Sequence, residues 1–138
     1  MALFDDRFHL AAPADDASFS GAPVAVDDID QHRLILLEDG HCLRDQALAF
    51  CATARAGVQT MSLGASSLTT VMEMVAGGYG VTLVPDIAVE VERRNARVRF
   101  IPLAEPAPGR RLGLVFRRTS PRKTDFAALS DVVRQAMA

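Results

Sequence analysis

Apolar residues recur along this chain in short blocks parted by turn-forming residues. The spacing inside the blocks switches between strand-like and helix-like. Residues 3–13 read as an extended segment, 15–23 as a polar loop and 26–30 as a short helical turn. Residues 33–37 place four apolar side chains in a row and predict a buried strand. Residues 41–56 follow a helical period that Gly57 ends, and 60–63 predict a short strand. Ser66 and Ser67 are good caps for a helix over 68–76, with apolar positions at Val71, Met72, Met74 and Val75. Gly77, Gly78 and Gly80 stop that helix. A strand over 81–84 closes on Pro85, a helix follows over 87–94, and a strand over 98–101. A turn-rich connection (102–110) leads to a strand over 112–116 and a final helix over 124–137, behind Ser120 and Pro121.

Strands alternating with helices predict an α/β fold whose sheet has a parallel component. Ligands of such sheets bind beyond the carboxyl ends of strands. The loop Glu38-Asp39-Gly40 directly follows the 33–37 strand, so Cys42 falls at a strand-to-helix turn. The 138 residues predict one domain with a real core. No run approaches the ~18 apolar residues of a membrane span, and the acidic start does not read as a secretory signal. The expected home is therefore the cytoplasm, away from membranes, where cysteines rest reduced.

A net charge of −2 excludes the whole chain as an electrostatic match for nucleic acid. Acids crowd the first third, while Arg93, Arg94, Arg97, Arg99, Arg110, Arg111, Arg117, Arg118 and Arg122 crowd the last. These arginines interleave with Val98, Phe100, Leu112 and Leu114, as on the wet face of amphipathic strands.

Both cysteines, Cys42 and Cys51, lie in the segment 34–51, flanking a predicted helix. Nine helical steps turn ~900° and rise ~13 Å, so the two side chains face opposite ways. A disulfide needs Cα atoms within ~7 Å, so the helix forbids it and unwinding permits it. Unwinding costs backbone hydrogen bonds and exposes Leu43, Leu48 and Phe50, against the few kcal/mol (roughly 2–4) a disulfide returns. Opposing terms of that kind define a two-state element.

Cys42 has the more reactive setting. Asp39 as helix cap would put Cys42 third in the helix, near unpaired N–H groups, with His41 and Arg44 adding positive charge. These favour the thiolate, which is the nucleophile. Cys51 sits late in the helix among apolar residues and would condense with an oxidised Cys42. Two other readings stay open. The cysteines can be inert buried side chains. A metal site can use His41, Cys42 and Cys51, although it has no fourth ligand and no C-x-x-C spacing. A serine–histidine nucleophile has no G-x-S-x-G motif here.

The stretch LEDGHCLRDQALAFC closely resembles the redox-active segment of the peroxide-sensing OxyR group within the LysR-type transcription regulators. It matches at Glu38, Asp39, Gly40, His41, Cys42, Leu43, Arg44, Asp45, Gln46, Phe50 and Cys51. SSLTTVMEMVAGGYGVTLVP resembles a segment shared by LysR-type effector domains, and GRRLGLVFRRTSPR resembles the group's late strand and the turn before its last helix. The resemblance runs over essentially the whole chain. It implies an effector-domain lobe like a periplasmic binding protein, a Rossmann-like mixed sheet flanked by helices, incomplete relative to the family.

The resemblance further implies that Cys42 is the peroxidatic thiol and Cys51 the resolving one. His41 would bind and polarise hydrogen peroxide, and Arg110 would favour the Cys42 thiolate. Arg44 and Asp45 would hold the reduced loop. Oxidation would refold the segment and shift a dimer interface, altering DNA binding and RNA polymerase recruitment through the full-length regulator. Glutaredoxin or thioredoxin would restore the thiols. No cofactor or metal is implied, and no enzymatic turnover. The chain reads as the C-terminal part of the regulatory domain, without the winged helix-turn-helix, so it is not expected to bind an operator alone. The 112–116 strand and the last helix would lack their normal partner, predicting self-association as a dimer or higher, or a swapped arrangement. Two rival functions remain: a thiol peroxidase, and an effector domain binding a small metabolite near Ser66, Ser67 and Thr69.

Overall fold

A computed structural model describes residues 1–21, 23–29, 33–53 and 65–138. Its regular elements are β1 (Ala2–Pro13), α1 (Cys42–Cys51), α2 (Leu68–Ala76), β2 (Thr82–Pro85), α3 (Asp86–Glu92), β3 (Val98–Pro102), β4 (Gly109–Gly113) and α4 (Lys123–Ala136). Short 3-10 turns occupy Ala17–Phe19 and Val26–Ile29. The chain divides into two compact units, one of Phe8–Pro108 and one of Met1–Arg7 with Gly109–Ala138. The expected strand over 60–63 and the expected helix end at 54–57 lie outside the described residues, while α1 already stops at Cys51 with Ala52 and Thr53 in a turn, short of the expected 41–56.

In the larger unit β1 is the middle strand. β2 and β3 both pair with it antiparallel, with Leu10 opposite Leu83 on one side and Ile101 on the other. The α/β class holds, but the ladders are antiparallel. The parallel component reduces to isolated bridges, Val24 with Leu103, Leu34 with Val81 and Leu37 with Ala65. Among the described residues, the segment 33–37 therefore pairs through isolated bridges and not through a continuous ladder. Ile35 N–H donates to Val81 O at 2.8 Å, Val81 N–H to Arg33 O at 2.9 Å, and the buried Thr82 hydroxyl to Ile35 O at 2.7 Å. Apolar periodicity reports burial, and it is silent on which neighbour satisfies the backbone.

That segment is apolar at four consecutive positions because both its faces are covered. Leu34 and Leu36 join Phe8, Leu10, Leu83, Ile101, Ala47 and Cys51 in one cluster. Ile35 and Leu37 join Ala11, Val71, Met72, Val75, Val84 and Val89 in the other. α1 therefore seals one face, while α2 and α3 seal the opposite one. α2 keeps its expected bounds, with the Ser67 hydroxyl accepting Thr70 N–H as its cap. Phe19 is buried within the expected polar loop, and Arg99 fastens that loop by donating to the carbonyls of Asp16 and Phe19 at 2.7 Å each.

In the smaller unit the first part of β1 pairs antiparallel with β4, Phe4 opposite Leu112 and Asp6 opposite Arg110. The late strand thus runs over Gly109–Gly113 and not over 112–116. Cross-strand ion pairs, Arg110 with Asp6 and Arg111 with Asp5 at 2.9 Å each, fix the earlier register. Val115 lies beyond the strand and is 94% exposed. The hydrogen bond from Arg111, reinforced by its charge, holds the Asp5 carboxyl below its ordinary range. Its contribution is present above the ordinary value of 3.8 and is lost as pH falls through the lowered one. Both partners are exposed, so the effect on stability is slight.

α4 anchors to this ribbon through Arg134, which donates to Ala2 O at 2.7 Å, and buries Ser130. Its Leu129 and Val132 stay exposed, as does Val115. Self-association of the isolated chain remains the expected consequence. Light scattering should report a dimer or larger species at high concentration, and a well-behaved monomer would contradict it.

Candidate redox site

The doubly covered residues 34–37 deliver the chain to Glu38, whose N–H donates to Ala65 O at 3.1 Å. The chain then turns through Gly40, whose φ of +94° is a left-handed conformation that suits glycine. α1 begins at Cys42. His41 is its N-cap residue, extended at φ −82° and ψ 122°, and makes no side-chain capping bond. Asp39 was the expected cap, and the structure corrects this. Its carboxylate lies 2.8 Å from Arg44 Nε, and Arg44 Nη1 donates to Leu37 O at 2.9 Å. The left-handed turn at Gly40 separates Asp39 from the helix start, and the guanidinium takes its charge. Cys42 is therefore the first helical residue and not the third.

Cys42 is exposed and Cys51, the last residue of α1, is buried. No disulfide joins them. Cys51 belongs with Leu43 and Ala47 to the stripe that packs on the core, four residues apart each time. Cys42 lies half a turn away in projection and ~13 Å along the axis. The helical geometry read from the sequence is therefore the geometry found, between an accessible sulfur and a core-facing one.

His41, Cys42, Arg44 and Asp45 are brought together in one turn. Asp45 is exposed and, among the described residues, makes no hydrogen bond, although its charge suits the first turn of a helix. Arg110 belongs to the smaller unit, on β4. Its guanidinium is engaged by Asp6, whose side chain is 1% exposed. Sequence reasoning assigned no task to Gln46. Its carbonyl oxygen is buried and, among the described residues, has no hydrogen-bond partner; it lies on the same flank of α1 as Cys42. The i, i+4 spacing from Cys42 was the signal that could have singled it out.

Two of the three hydroxyls of the rival metabolite site, those of Ser67 and Thr69, are already engaged. Ser67 Oγ caps α2 and lies 2.8 Å from Thr70 Oγ1, and Thr69 donates to Glu92 at 3.1 Å. For the metal reading, no cluster of three or more histidine, cysteine or acidic ligands occurs among the described residues.

Arg44 is the tie that holds the turn before Cys42. Arg44→Ala removes a charged pair and a donor to a buried carbonyl. It should cost about 1–2 kcal/mol in urea unfolding and speed amide exchange at residues 38–42. Unchanged exchange there would deny Arg44 this role.

The LysR substrate binding domain model matches residues 1–138. The hydrogen peroxide-inducible genes activator of Dickeya chrysanthemi is 42% identical over 135 residues, covering 98% of this chain and 44% of the relative. A cysteine mutant of Corynebacterium glutamicum OxyR with hydrogen peroxide bound superposes with a TM-score of 0.87 at 30% identity, over 99% of this chain and 44% of that one. The reduced form of OxyR gives 0.80 at 37% identity, and the oxidised form 0.77 at 39%. Those two matches cover 99% of this chain and 63% and 64% of theirs. The chain thus spans less than half the length of the curated relative it matches.

Proposed function

We propose a redox-sensing role for this chain, which belongs to the LysR substrate-binding domain family: it is the regulatory part of a peroxide-responsive transcription regulator. The Cys42 thiolate attacks a peroxide oxygen, the O–O bond breaks, and the hydroxide that leaves takes up the proton given up by the thiol, so that a sulfenic acid and water result. The Cys51 thiol then attacks the sulfenyl sulfur and expels a second water, leaving a Cys42–Cys51 disulfide. The observation that carries this reading is α1 itself, which begins at an exposed cysteine and ends at a buried one. The disulfide and the helix exclude each other, so oxidation becomes a change of fold.

His41, beside Cys42, polarises the bound peroxide. Arg44 holds the reduced turn through Asp39 and Leu37, and Asp45 completes that first turn. By resemblance to the OxyR group, Arg110 would favour the Cys42 thiolate. In the full-length regulator the refolded segment alters the dimer, and through it DNA binding and RNA polymerase recruitment. Glutaredoxin or thioredoxin returns the thiols in the cytoplasm. Each protein reacts once per cycle, which separates it from a thiol peroxidase. Steady peroxide consumption with a thiol reductant, at a dedicated enzyme's rate, would favour that enzyme instead.

Mass spectrometry after stoichiometric hydrogen peroxide tests the proposal. The expected product has lost about two mass units and yields a linked Cys42–Cys51 peptide, while Cys51→Ser traps the sulfenic acid. A product with both cysteines still alkylatable would refute it. A small metabolite that raises the melting temperature of Cys42→Ser, with no redox effect on the parent chain, would favour the effector-domain reading.

A further inference from the structure

We infer that the cleft between α2 and the end of α3 is a binding site for a zwitterionic α-amino acid with an apolar side chain. The inference uses neither cysteine, so it is independent of the redox reading. The cleft has a volume of about 590 Å³, within the ~300–1,000 Å³ usual for small-molecule sites. α2 contributes Thr69, Met72 and Glu73, and the rest comes from the end of α3 and the turn that leads to β3. Neither cap serine, Ser66 nor Ser67, lines it.

The walls brace one another. Glu73 Oε1 accepts from Asn95 Nδ2 at 3.0 Å, and Glu73 Oε2 accepts from Arg97 Nη2 at 3.1 Å. The Asn95 side-chain carbonyl accepts Arg97 N–H at 3.1 Å, and Asn95 N–H donates to Glu92 O at 3.1 Å. The Thr69 hydroxyl donates to Glu92 Oε1 at 3.1 Å. These bonds hold the turn 92–97 against α2 and leave two charges over. Among the described residues, Arg94 makes no hydrogen bond or ion pair. Glu92 has no cationic partner there, and its Oε2 accepts no hydrogen bond. Both residues line the same cleft, Glu92 as the last residue of α3 and Arg94 two positions on. A lone cation would select a simple anion, and a lone carboxylate an amine. The two together select a molecule that carries both charges, its carboxylate on Arg94 and its ammonium on Glu92. Beside them Met72 is 1% exposed, whereas Val91 is 57% exposed within the cleft. An apolar ligand side chain would cover Val91, a favourable burial.

The test follows the amide resonances of the isotope-labelled full chain during titration with L-leucine. A saturable shift is expected at Thr69, Glu73 and Arg97. Isocaproate lacks the ammonium and isoamylamine lacks the carboxylate, and each should bind about tenfold more weakly than leucine. Arg94→Gln and Glu92→Gln should each weaken leucine binding by about the same factor. The glutamine at position 92 keeps an acceptor for Thr69, so the brace survives the change. Arg93→Gln, at an exposed residue that does not line the cleft, should bind leucine like the parent. Absence of a saturable shift up to the solubility limit of leucine would overturn the inference. Isocaproate or isoamylamine binding as tightly as leucine would overturn it too, because one of the two charges would then take no part. Full affinity in Arg94→Gln would do the same.

Discussion

Cys42→Ser should abolish the response to peroxide: no sulfenic acid, no disulfide and no change in α1. The expectation follows from the different placement of the two sulfurs. Cys42 is exposed on the first turn of α1, whereas Cys51 is packed with Ala47 and Leu43 against the core. A buried sulfur in apolar surroundings is a poor nucleophile towards a dissolved oxidant. Cys51 therefore has no reaction of its own in the helical state, and removing Cys42 should reduce peroxide-dependent thiol loss to background. Cys51→Ser should behave differently, keeping the first step at its normal rate. The check is the rate of thiol loss for each variant under excess hydrogen peroxide. Comparable loss in Cys42→Ser would mean that Cys51 reacts directly, and the assignment of roles would be reversed.

The second large effect is structural. Gly80→Ala should destabilise the larger unit by about 3 kcal/mol, with roughly 10 °C lost from the melting temperature. A β-carbon at Gly80 would lie 2.2 Å from the backbone oxygen of Arg33 and 3.1 Å from Ile35 Cγ1. That oxygen is also the acceptor of Val81 N–H, so it cannot retreat without breaking the pairing that holds the 33–37 segment. Because this segment leads to the turn before Cys42, the same variant should loosen the redox site, visible as faster alkylation of Cys51. Calorimetry that finds the variant as stable as the parent would contradict this account of the close approach.

Much of the fold was legible because burial leaves a periodic trace. α2 was readable to the residue, since a serine cap, an apolar stripe and a glycine stop agree over one short span. The four apolar residues before Glu38 announced a segment covered on both faces, and it is one. Their hydrogen bonds were not legible. Among the described residues, bridges to Val81 and Ala65 and a bond from the Thr82 hydroxyl take the place of a ladder, and no sequence period encodes that choice. A mixed sheet was the expectation, but which ladders run antiparallel was not legible, because that depends on long-range pairing with β1.

At the site, the spacing of Cys42 and Cys51 was readable as geometry, and the structure returns that geometry. The cap was not. Asp39 has the right chemistry to cap a helix, but the left-handed turn at Gly40 and the competing guanidinium of Arg44 decide otherwise. Position along the chain supplies candidates for a bond, and three-dimensional competition selects among them. The late strand shifted by the same logic, since its register follows Arg110 and Arg111 towards the acids of β1 and not the run of apolar residues beyond them.

The account turns on mutual exclusion between a coiled segment and a joined pair of sulfurs. Amide hydrogen exchange across residues 43–51, compared between the thiol form and the peroxide-treated form, measures it most directly. Protected amides before oxidation and exposed ones after it, with protection in α2 unchanged, are the predicted result. Equal protection in the two forms, with the disulfide present in the second, would contradict it.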